Sequence, residues 1–518
     1  MMRRYHFRNY AIYIRKVTHV FRLWSVLILF AYLNGCTGFY FQSAEVRPPE
    51  PLPITLSGLH FKEYWTGIVF NGDRIGFTHF KITPSSDNRN RFDILSEAYF
   101  NIRFLMFDKR INLVGYDTVA EDLTLQQFQY FFELDGNHMT VHGHRTEDSL
   151  KITTMSKGQT LSESIPFESP LFPTSVINLY PLVKGLEIGR HFTYWVFDGQ
   201  TRTISRVDQT ILAYEESDLF RGPAYKIKTS LHGHEATTWM DQTGKPQIEM
   251  SLGGVIISAL ENKNRAERYL THAAINKHEP FLDYSLIKTS TVLPHPRWTQ
   301  ALTLVISGVS PEFMPPSDER QQCFRTGDKI NCSISTHTDK SLKSPPKDGT
   351  TDVARFLNPS YAIPSINPTI RQVARTITSQ VESRPLKIQK IMEWMDKHIA
   401  KKPVDVFTAL DVLETRQAEC QGHAYLFAAF CRAEGIPTRI ANGIVYSKRH
   451  QGFLYHTWAE CYIEDAWMAV DPIFMQIPAD ATHIKFVEGE SISNLLPLVG
   501  VIGKIKVRII QYTATKPE

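Results

Sequence analysis

The chain has 518 residues, of which 42% are hydrophobic and 12% aromatic, so it can bury the cores of two or three ordinary domains. Its formal charge is +4, but residues 1–35 contain six Arg and Lys and no acidic residue, and so supply +6 by themselves. Residues 36–518 therefore carry a formal net charge of −2. This excludes the strongly basic surface typical of nucleic-acid-binding proteins, and we expect no nucleic-acid partner.

Residues 1–35 are predicted to be an export signal. A basic stretch precedes an apolar run at 23–33, which is long enough for a signal sequence and short for a spanning helix. The tetrapeptide Leu33-Asn34-Gly35-Cys36 resembles the lipobox of bacterial lipoproteins, which implies lipidation of Cys36. An uncleaved membrane anchor is the alternative. Either way we expect a body tethered through its N-terminus in the cell envelope, facing the periplasm, and Thr37 favours the outer membrane by analogy with lipoprotein sorting.

Residues 36–57 are predicted to be a proline-rich tether, because Arg47–Pro53 carries four prolines and suits an extended spacer. From 58 to 335 the pattern is β, with aromatic or β-branched runs separated by turns. The predicted strands are Tyr64–Phe70, Ile75–Ile82, Phe92–Phe104, Asn112–Val119, Leu125–Leu134, Met139–His144, His191–Phe197, Thr203–Val207 and Ala224–Thr229. We expect a large, curved antiparallel sheet, with helices near Thr174–Leu182 and Asn262–Ala273, serving as a binding or positioning module.

A disulfide is predicted at the end of this region. Cys323 and Cys332 flank Gly327-Asp328, a two-residue hairpin turn signal, at equal distances. Counting outward from the turn places them in a non-hydrogen-bonded pair, the closer kind, which suits a disulfide in an oxidising compartment. Cys431 and Cys461 are interpreted as buried core thiols, with a bridge between them left open.

Residues 336–353 are predicted to be a linker, and 354–480 a second, α+β domain. Asn367-Pro368 predicts an N-cap followed by Pro at the first helical position, and apolar spacing predicts helices at Leu386–Ile399 and from Ala409. Residues 481–518 form a C-terminal extension with one predicted strand, Lys504–Gln511.

The stretch 418–474 holds the candidate chemistry. Cys420 opens an apolar helix that Gly435-Ile436-Pro437 ends, and strands are predicted at Arg439–Tyr446, Tyr455–Ile463 and Trp467–Val470. Only the thiolate attacks carbonyls well, and the positive end of a helix favours it, so we expect a lowered pKa for Cys420. His456 can take the thiol proton, and Asp471, at the end of the next antiparallel strand, can orient that imidazole.

Four short sequence motifs in this stretch together resemble the transglutaminase-like superfamily. They are Cys420-Gln421-Gly422, Cys431–Arg439, His456-Thr457-Trp458-Ala459-Glu460 and Trp467–Pro472. The resemblance implies a papain-like triad in which Cys420 is the nucleophile, His456 the general base and acid, and Asp471 the orienting residue. Ala418 departs from the Gly usual two residues before the nucleophile, which bears on the backbone conformation there.

We assign Gln417, His423 and Trp458 to the substrate cleft, with core packing the alternative for Trp458. Cys420-x-x-His423 also has metal-ligand spacing, but no second compact ligand pair accompanies it, so we predict no metal and no cofactor.

The predicted fold class is therefore α+β, with a large antiparallel β-rich N-terminal domain followed by a transglutaminase-like domain. The predicted function is an envelope-located thiol acyl-transfer enzyme that acts on peptide or amide carbonyls through a Cys thioester, with a protein or peptide substrate. Hydrolysis is favoured over transamidation, because water needs no second binding site. The alternative is a non-catalytic module that binds a peptide or partner in the same cleft.

Overall fold

The structure, a computed structural model, describes residues 43–50, 54–86, 90–104, 107–157, 159–168, 170–336 and 353–515. The predicted export signal and Cys36 lie outside the described residues, as does most of the predicted linker. Among the helices of the described ranges, none combines the length and the apolar character needed to cross a bilayer.

One large sheet of sixteen strands dominates the N-terminal half. Its strands are β1 Ser43–Glu45, β2 Glu63–Phe70, β3 Asp73–Pro84, β4 Arg91–Phe104, β5 Phe107–Ala120, β6 Leu125–Leu134, β7 Asn137–Arg145, β8 Ser149–Ser156, β9 Gln159–Pro166, β10 Leu171–Pro173, β11 His191–Asp198, β12 Thr203–Ser217, β13 Ala224–Leu231, β14 His234–Met240, β15 Pro246–Ser251 and β16 Ile256–Glu261. Their order runs from β10 through β16 to β2 and on to β9, with β1 beside β12. All neighbours are antiparallel except the pair β10 and β11.

The sheet curls, because strands from its two ends share one apolar cluster. Val141 of β7 and Ile152 of β8 pack in the same cluster as Leu171 of β10 and Phe197 of β11. Along β6 the residues Phe128, Tyr130 and Phe132 are buried in turn while those between them are more exposed. This period of two is what a sheet with one buried face requires.

Eight α-helices are present in the described part of the chain. They are α1 Tyr180–Lys184, α2 Lys263–Ile275, α3 Pro280–Ser285, α4 Pro368–Thr378, α5 Arg384–His398, α6 Ala409–Thr415, α7 Cys420–Ala433 and α8 Ile492–Val499. Asn262 caps α2 and Asn367 caps α4, each side chain accepting a backbone N–H of the first turn.

The C-terminal half holds the remaining strands. They are β17 Ile287–Lys288, β18 Thr299–Ser307, β19 Gln321–Thr326, β20 Lys329–Ser335, β21 Ala400–Lys401, β22 Gln417–Ala418, β23 Thr438–Ser447, β24 Gly452–Ile463, β25 Ala466–Val470, β26 Ile484–Glu488 and β27 Lys506–Ala514. One sheet has the order β17-β24-β23-β26 with β25 beside β24, and another has the order β19-β20-β18-β27. Helices α4 to α7 pack in one core against the face of β24 that carries Ala459 and Cys461.

The sheet topology departs from two of the predicted boundaries. The large sheet ends at Glu261, and the strands between 287 and 335 belong instead with the C-terminal half, where β18 pairs with β27. The cause is long-range: β27 supplies a partner for β18 that local patterns do not reveal. The predicted tether is also partly docked, because β1 pairs with β12 and the Leu56 side chain is 3% exposed in the core.

The cysteines outside the candidate site take two forms. Cys323 in β19 and Cys332 in β20 are register partners with their Cα atoms 4.2 Å apart, and they are joined in a disulfide. The turn between them places Gly327 at a φ of +61°, a conformation that glycine adopts without strain. Cys431 and Cys461 are buried free thiols.

Candidate active site

Cys420 occupies the first position of helix α7. The preceding residue, Glu419, caps the helix by accepting the backbone N–H of Gln421 at 2.9 Å. The helix ends where Gly435 takes a φ of +73°, and Ile436 N–H then bonds back to the Cys431 carbonyl at 2.9 Å. Because the backbone N–H groups of a first turn have no partner inside the helix, the Cys420 N–H points out of it.

The structure brings His456 and Asp471 together. His456 lies on β24 and Asp471 directly after β25, two strands that are antiparallel neighbours. The Nε2 of His456 lies 2.8 Å from Oδ2 of Asp471, and both side chains are buried. The carboxylate holds a proton on Nε2 and leaves Nδ1 of His456 as the basic nitrogen.

His483 is a second imidazole on the same carboxylate. Its Nε2 also lies 2.8 Å from Oδ2 of Asp471, while Oδ1 accepts the backbone N–H groups of Ile473 and Phe474 at 2.7 and 3.1 Å. Burial alone would raise the pKa of Asp471, but the charge and N–H donors of His456 and His483 outweigh it and hold that pKa well below its usual range. Asp471 is therefore an ionised carboxylate, completely buried and fully hydrogen-bonded.

Asp480 and Arg297 support His483 from behind. Nδ1 of His483 lies 3.1 Å from the Asp480 carbonyl, and the Asp480 carboxylate pairs with Arg297 at 2.9 Å. Burial opposes a proton on His483, but Asp480 and Asp471 outweigh it and raise its pKa. The Arg297 guanidinium also lies 4.1 Å from the centre of the Phe474 ring, so a residue far away in sequence braces the site.

Cys420 and His456 line one cleft of about 680 Å³. Other walls come from five separate parts of the chain, and they include Lys109, Pro294–Trp298, Lys401–Pro403, Val445–Lys448 with Leu454 and Tyr455, and Ile473 and Phe474. Much of this lining is apolar or aromatic, as is usual for ligand-binding clefts.

The three predicted cleft residues are not part of this lining. The Trp458 and His423 side chains are 0% and 1% exposed, and His423 bonds through Nδ1 to the Glu419 carbonyl at 3.0 Å. Gln417 lies in β22, where its backbone pairs with Ala400. His423 and Trp458 lie near the nucleophile in sequence or on the sheet, but their side chains are buried in the packing around it, whereas Gln417 is half-buried.

The Cys420 thiol is hydrogen-bonded to its own neighbour. Its S–H donates to Oε2 of Glu419 at 2.9 Å, and the Thr457 backbone N–H faces the sulfur. Burial, followed by the charge of Glu419, raises the pKa of Cys420 well above its usual value. The lowering expected from the helix N-terminus is not found in this arrangement, because burial and a carboxylate hydrogen-bonded to the thiol outweigh the partial charge of a helix end.

Comparison with known proteins finds a family match within the C-terminal half. Residues 371–472 match the model of the Transglutaminase-like superfamily. The chain carries a transglutaminase-like domain. Over 164 residues it is 27% identical to kyphoscoliosis peptidase of Mus musculus, a match that covers 28% of this chain and 24% of that protein. The human kyphoscoliosis peptidase is 29% identical over 118 residues, or 19% of this chain and 17% of the relative. The matched segment spans about a quarter of the curated relatives' length.

Two solved structures are also similar. A candidate cysteine protease from Cytophaga hutchinsonii is 17% identical with a TM-score of 0.27, covering 42% of this chain and 85% of that one. The periplasmic domain of TgpA from Pseudomonas aeruginosa is 17% identical with a TM-score of 0.24, covering 37% of this chain and 88% of that one. At these scores the likeness supports no inference about this chain.

Two groups of side chains in the described ranges lie close enough together to hold a metal ion. One is His456, Asp471 and His483 of the transglutaminase-like domain, and the other is Asp318, Glu460 and Glu488. In the first, the Asp471 oxygen already accepts from both imidazoles. In the second, the Lys485 ammonium lies 2.8 Å from both Glu460 and Glu488 and supplies the positive charge.

His483, Arg297 and Glu419 were absent from the residues predicted for the site. The run from Pro478 to His483, which resembles a continuation common in bacterial transglutaminase-like proteins, was a signal for His483. No local pattern marks Arg297, which lies more than 150 residues before its partners.

Proposed function

We propose that this protein is a thiol acyl-transfer enzyme that acts on peptide or amide carbonyls through a thioester on Cys420. The observation that carries the proposal is the pairing of His456 Nε2 with Asp471 at 2.8 Å beside the cleft that Cys420 lines. A carboxylate buried in this way defines the tautomer and the direction of the imidazole. The transglutaminase-like match over 371–472 supports the same chemistry.

The reaction divides into two steps. Nδ1 of His456 takes the Cys420 proton while the sulfur attacks the carbonyl carbon, and the oxyanion forms beside the free backbone N–H of Cys420. His456 then gives that proton to the departing amine, the C–N bond breaks, and a thioester remains. Water or a primary amine next attacks the thioester carbonyl, passes a proton through His456 to the sulfur, and restores the thiol.

Alkylation by iodoacetamide tests the triad. The wild-type protein should be labelled at Cys420, and His456→Ala should be labelled much more slowly because the proton acceptor is lost. Cys420→Ala is the control for labelling elsewhere, and the buried Cys431 and Cys461 should contribute little. Equal rates for the wild type and His456→Ala would rule out a catalytic pair.

Mass spectrometry separates hydrolysis from transamidation. Peptides are incubated with the protein in the presence of a primary amine, with Cys420→Ala as the matched control. We favour hydrolysis, which adds water to the cleaved carbonyl, whereas an amine retained on the product would assign transamidation.

One observation favours the alternative, a non-catalytic module that binds a peptide or partner in the cleft. The Cys420 S–H donates to Glu419 and its pKa is raised, an arrangement that keeps the sulfur protonated. This alternative would be established by a peptide that binds equally well to the wild type and Cys420→Ala and is neither cleaved nor transferred. The wild type and His456→Ala would then also be alkylated at equal rates.

We further propose that the enzyme works in the cell envelope, facing the periplasm, and is tethered through a lipid on Cys36. Support comes from the basic and apolar stretches before Leu33–Cys36 in the sequence. Metabolic labelling with an alkyne-bearing fatty acid should mark the wild type and not Cys36→Ser. Labelling of neither form, together with a retained N-terminus, would assign the uncleaved anchor instead.

A further inference from the structure

The interior of the large sheet is not packed as one continuous core. Its apolar residues fall into separate clusters, and two cavities of about 510 and 300 Å³ lie between them. The two cavities adjoin, because Tyr64, Thr78, Leu113 and Gln200 line both. Protein interiors seldom leave voids larger than one water, so adjoining spaces of this size indicate a binding site.

The larger cavity is mostly apolar. Its aliphatic and aromatic lining includes Ile68, Phe70, Ile75, Phe100, Ile102 and Ile111. At one end Phe281 of α3 stacks on Phe70 with the ring centres 3.9 Å apart. An apolar chain would bury its surface here with about 25 cal/mol gained per Å² removed from water.

The smaller cavity is acidic. Asp117, Asp198 and Glu97 line it, and Glu249 lines the larger one. His79 also lines the smaller cavity and lies 2.7 Å from Glu97, and no Lys or Arg is found in the lining of either within the residues described. Asp117 is 2% exposed and accepts hydroxyl hydrogens from Tyr130 and Ser175, each at 2.6 Å. Burial raises its pKa to about 6, since two neutral hydroxyls do not balance a buried charge. Asp198 is bonded to His232 at 3.0 Å.

We propose that the curled sheet binds a single-chain amphiphile with a cationic head group, its hydrocarbon chain in the larger cavity and its ammonium beside Asp117. The apolar lining selects the hydrocarbon chain, and Asp117, whose hydrogen-bond partners are two neutral hydroxyls, selects the cationic head group. The site is separate from the cleft that holds Cys420.

Calorimetric titration of the full chain with linear alkylamines of eight to twelve carbons tests this, below their micelle concentrations. Affinity should rise about fourfold with each added CH₂ while the chain still fits. The twelve-carbon carboxylate should bind at least tenfold more weakly than the amine, because Asp117 repels it at the position that the ammonium would take. Equal affinity for the two, or no saturable binding of either, would overturn the proposal.

Two variants locate the site. Leu113→Trp fills the junction of the two cavities and should abolish binding, while Asp117→Asn should bring the amine to the affinity of the neutral alcohol of equal length. Asp148→Asn, an exposed change in the turn between β7 and β8, is the matched control. Thermal unfolding checks that each variant is folded. Alkylamine binding that survives Leu113→Trp in a folded protein would refute this location.

Cys420→Ala should bind the alkylamines as the wild type does. Failure of amphiphile binding therefore leaves the acyl-transfer proposal untouched, and the reverse also holds.

Discussion

Replacing Asp471 by Asn changes which nitrogen of His456 carries the proton. If the amide oxygen takes the place of Oδ1 and accepts the Ile473 and Phe474 N–H groups, the amide nitrogen faces His456 and His483. Its two hydrogens can then reach both Nε2 atoms, which lie 2.8 Å from Oδ2 in the wild type. Each imidazole must accept at Nε2, so His456 carries its proton on Nδ1 and cannot take the one from Cys420.

Asp471→Asn should reduce the acylation rate strongly and the free energy of unfolding only slightly. The wrong tautomer should slow acylation of Cys420 about 10³- to 10⁴-fold. Stability should fall by only about 1–2 kcal/mol, because every hydrogen bond keeps a partner and only the charge is lost. Asp471→Ala instead leaves the buried His483 and two backbone N–H groups without an acceptor, and should cost about 3–5 kcal/mol.

Two measurements on the same samples decide this. Acylation is followed as nitrophenolate release from p-nitrophenyl acetate, with Cys420→Ala as the blank, and the free energy of unfolding is taken from urea titration. We expect Asp471→Asn to be folded and nearly inactive, and Asp471→Ala to be destabilised. An Asn variant that keeps wild-type acylation, or one as unstable as the Ala variant, would refute it.

Glu419→Gln removes the charge that raises the pKa of Cys420, so the pH profile of iodoacetamide labelling should move to lower pH, with more thiolate at every pH below the new midpoint. The exposed Glu414→Gln is the control, and an unmoved profile would contradict the role given to Glu419. Removing the disulfide by replacing Cys323 and Cys332 with Ser should lower the free energy of unfolding by about 2.5 kcal/mol, because the crosslink closes a short loop with a sequence separation of nine. A loss below about 0.5 kcal/mol in urea titration would show that the hairpin is equally constrained without the bond.

Local patterns predicted the elements around the candidate site well. Helix α7 begins at Cys420 and ends at Ala433, because its limits depend on a nearby cap and on the Gly435-Ile436-Pro437 sequence. The Cys323 and Cys332 register likewise follows from counting outward from a two-residue turn. Such features depend on the backbone preferences of a few consecutive residues, so they can be predicted from the local sequence.

The differences between prediction and structure concern side-chain direction and distant partners. Gln417, His423 and Trp458 lie close to the nucleophile in sequence or on the sheet, yet their side chains do not line the cleft. The sheet topology departs from the predicted boundary at 335 because β18 pairs with β27, about 200 residues further along the chain.

The sequence by itself determined which residues could perform thiol chemistry and the order of helix and strands that carries them. Only the tertiary structure decided that Asp471 serves two histidines, that Arg297 and Asp480 brace the second, and that Glu419 holds the Cys420 proton. The reason is physical: periodicity and caps act along the chain, whereas burial, charge pairing and cavities arise from segments that meet only when the chain has folded.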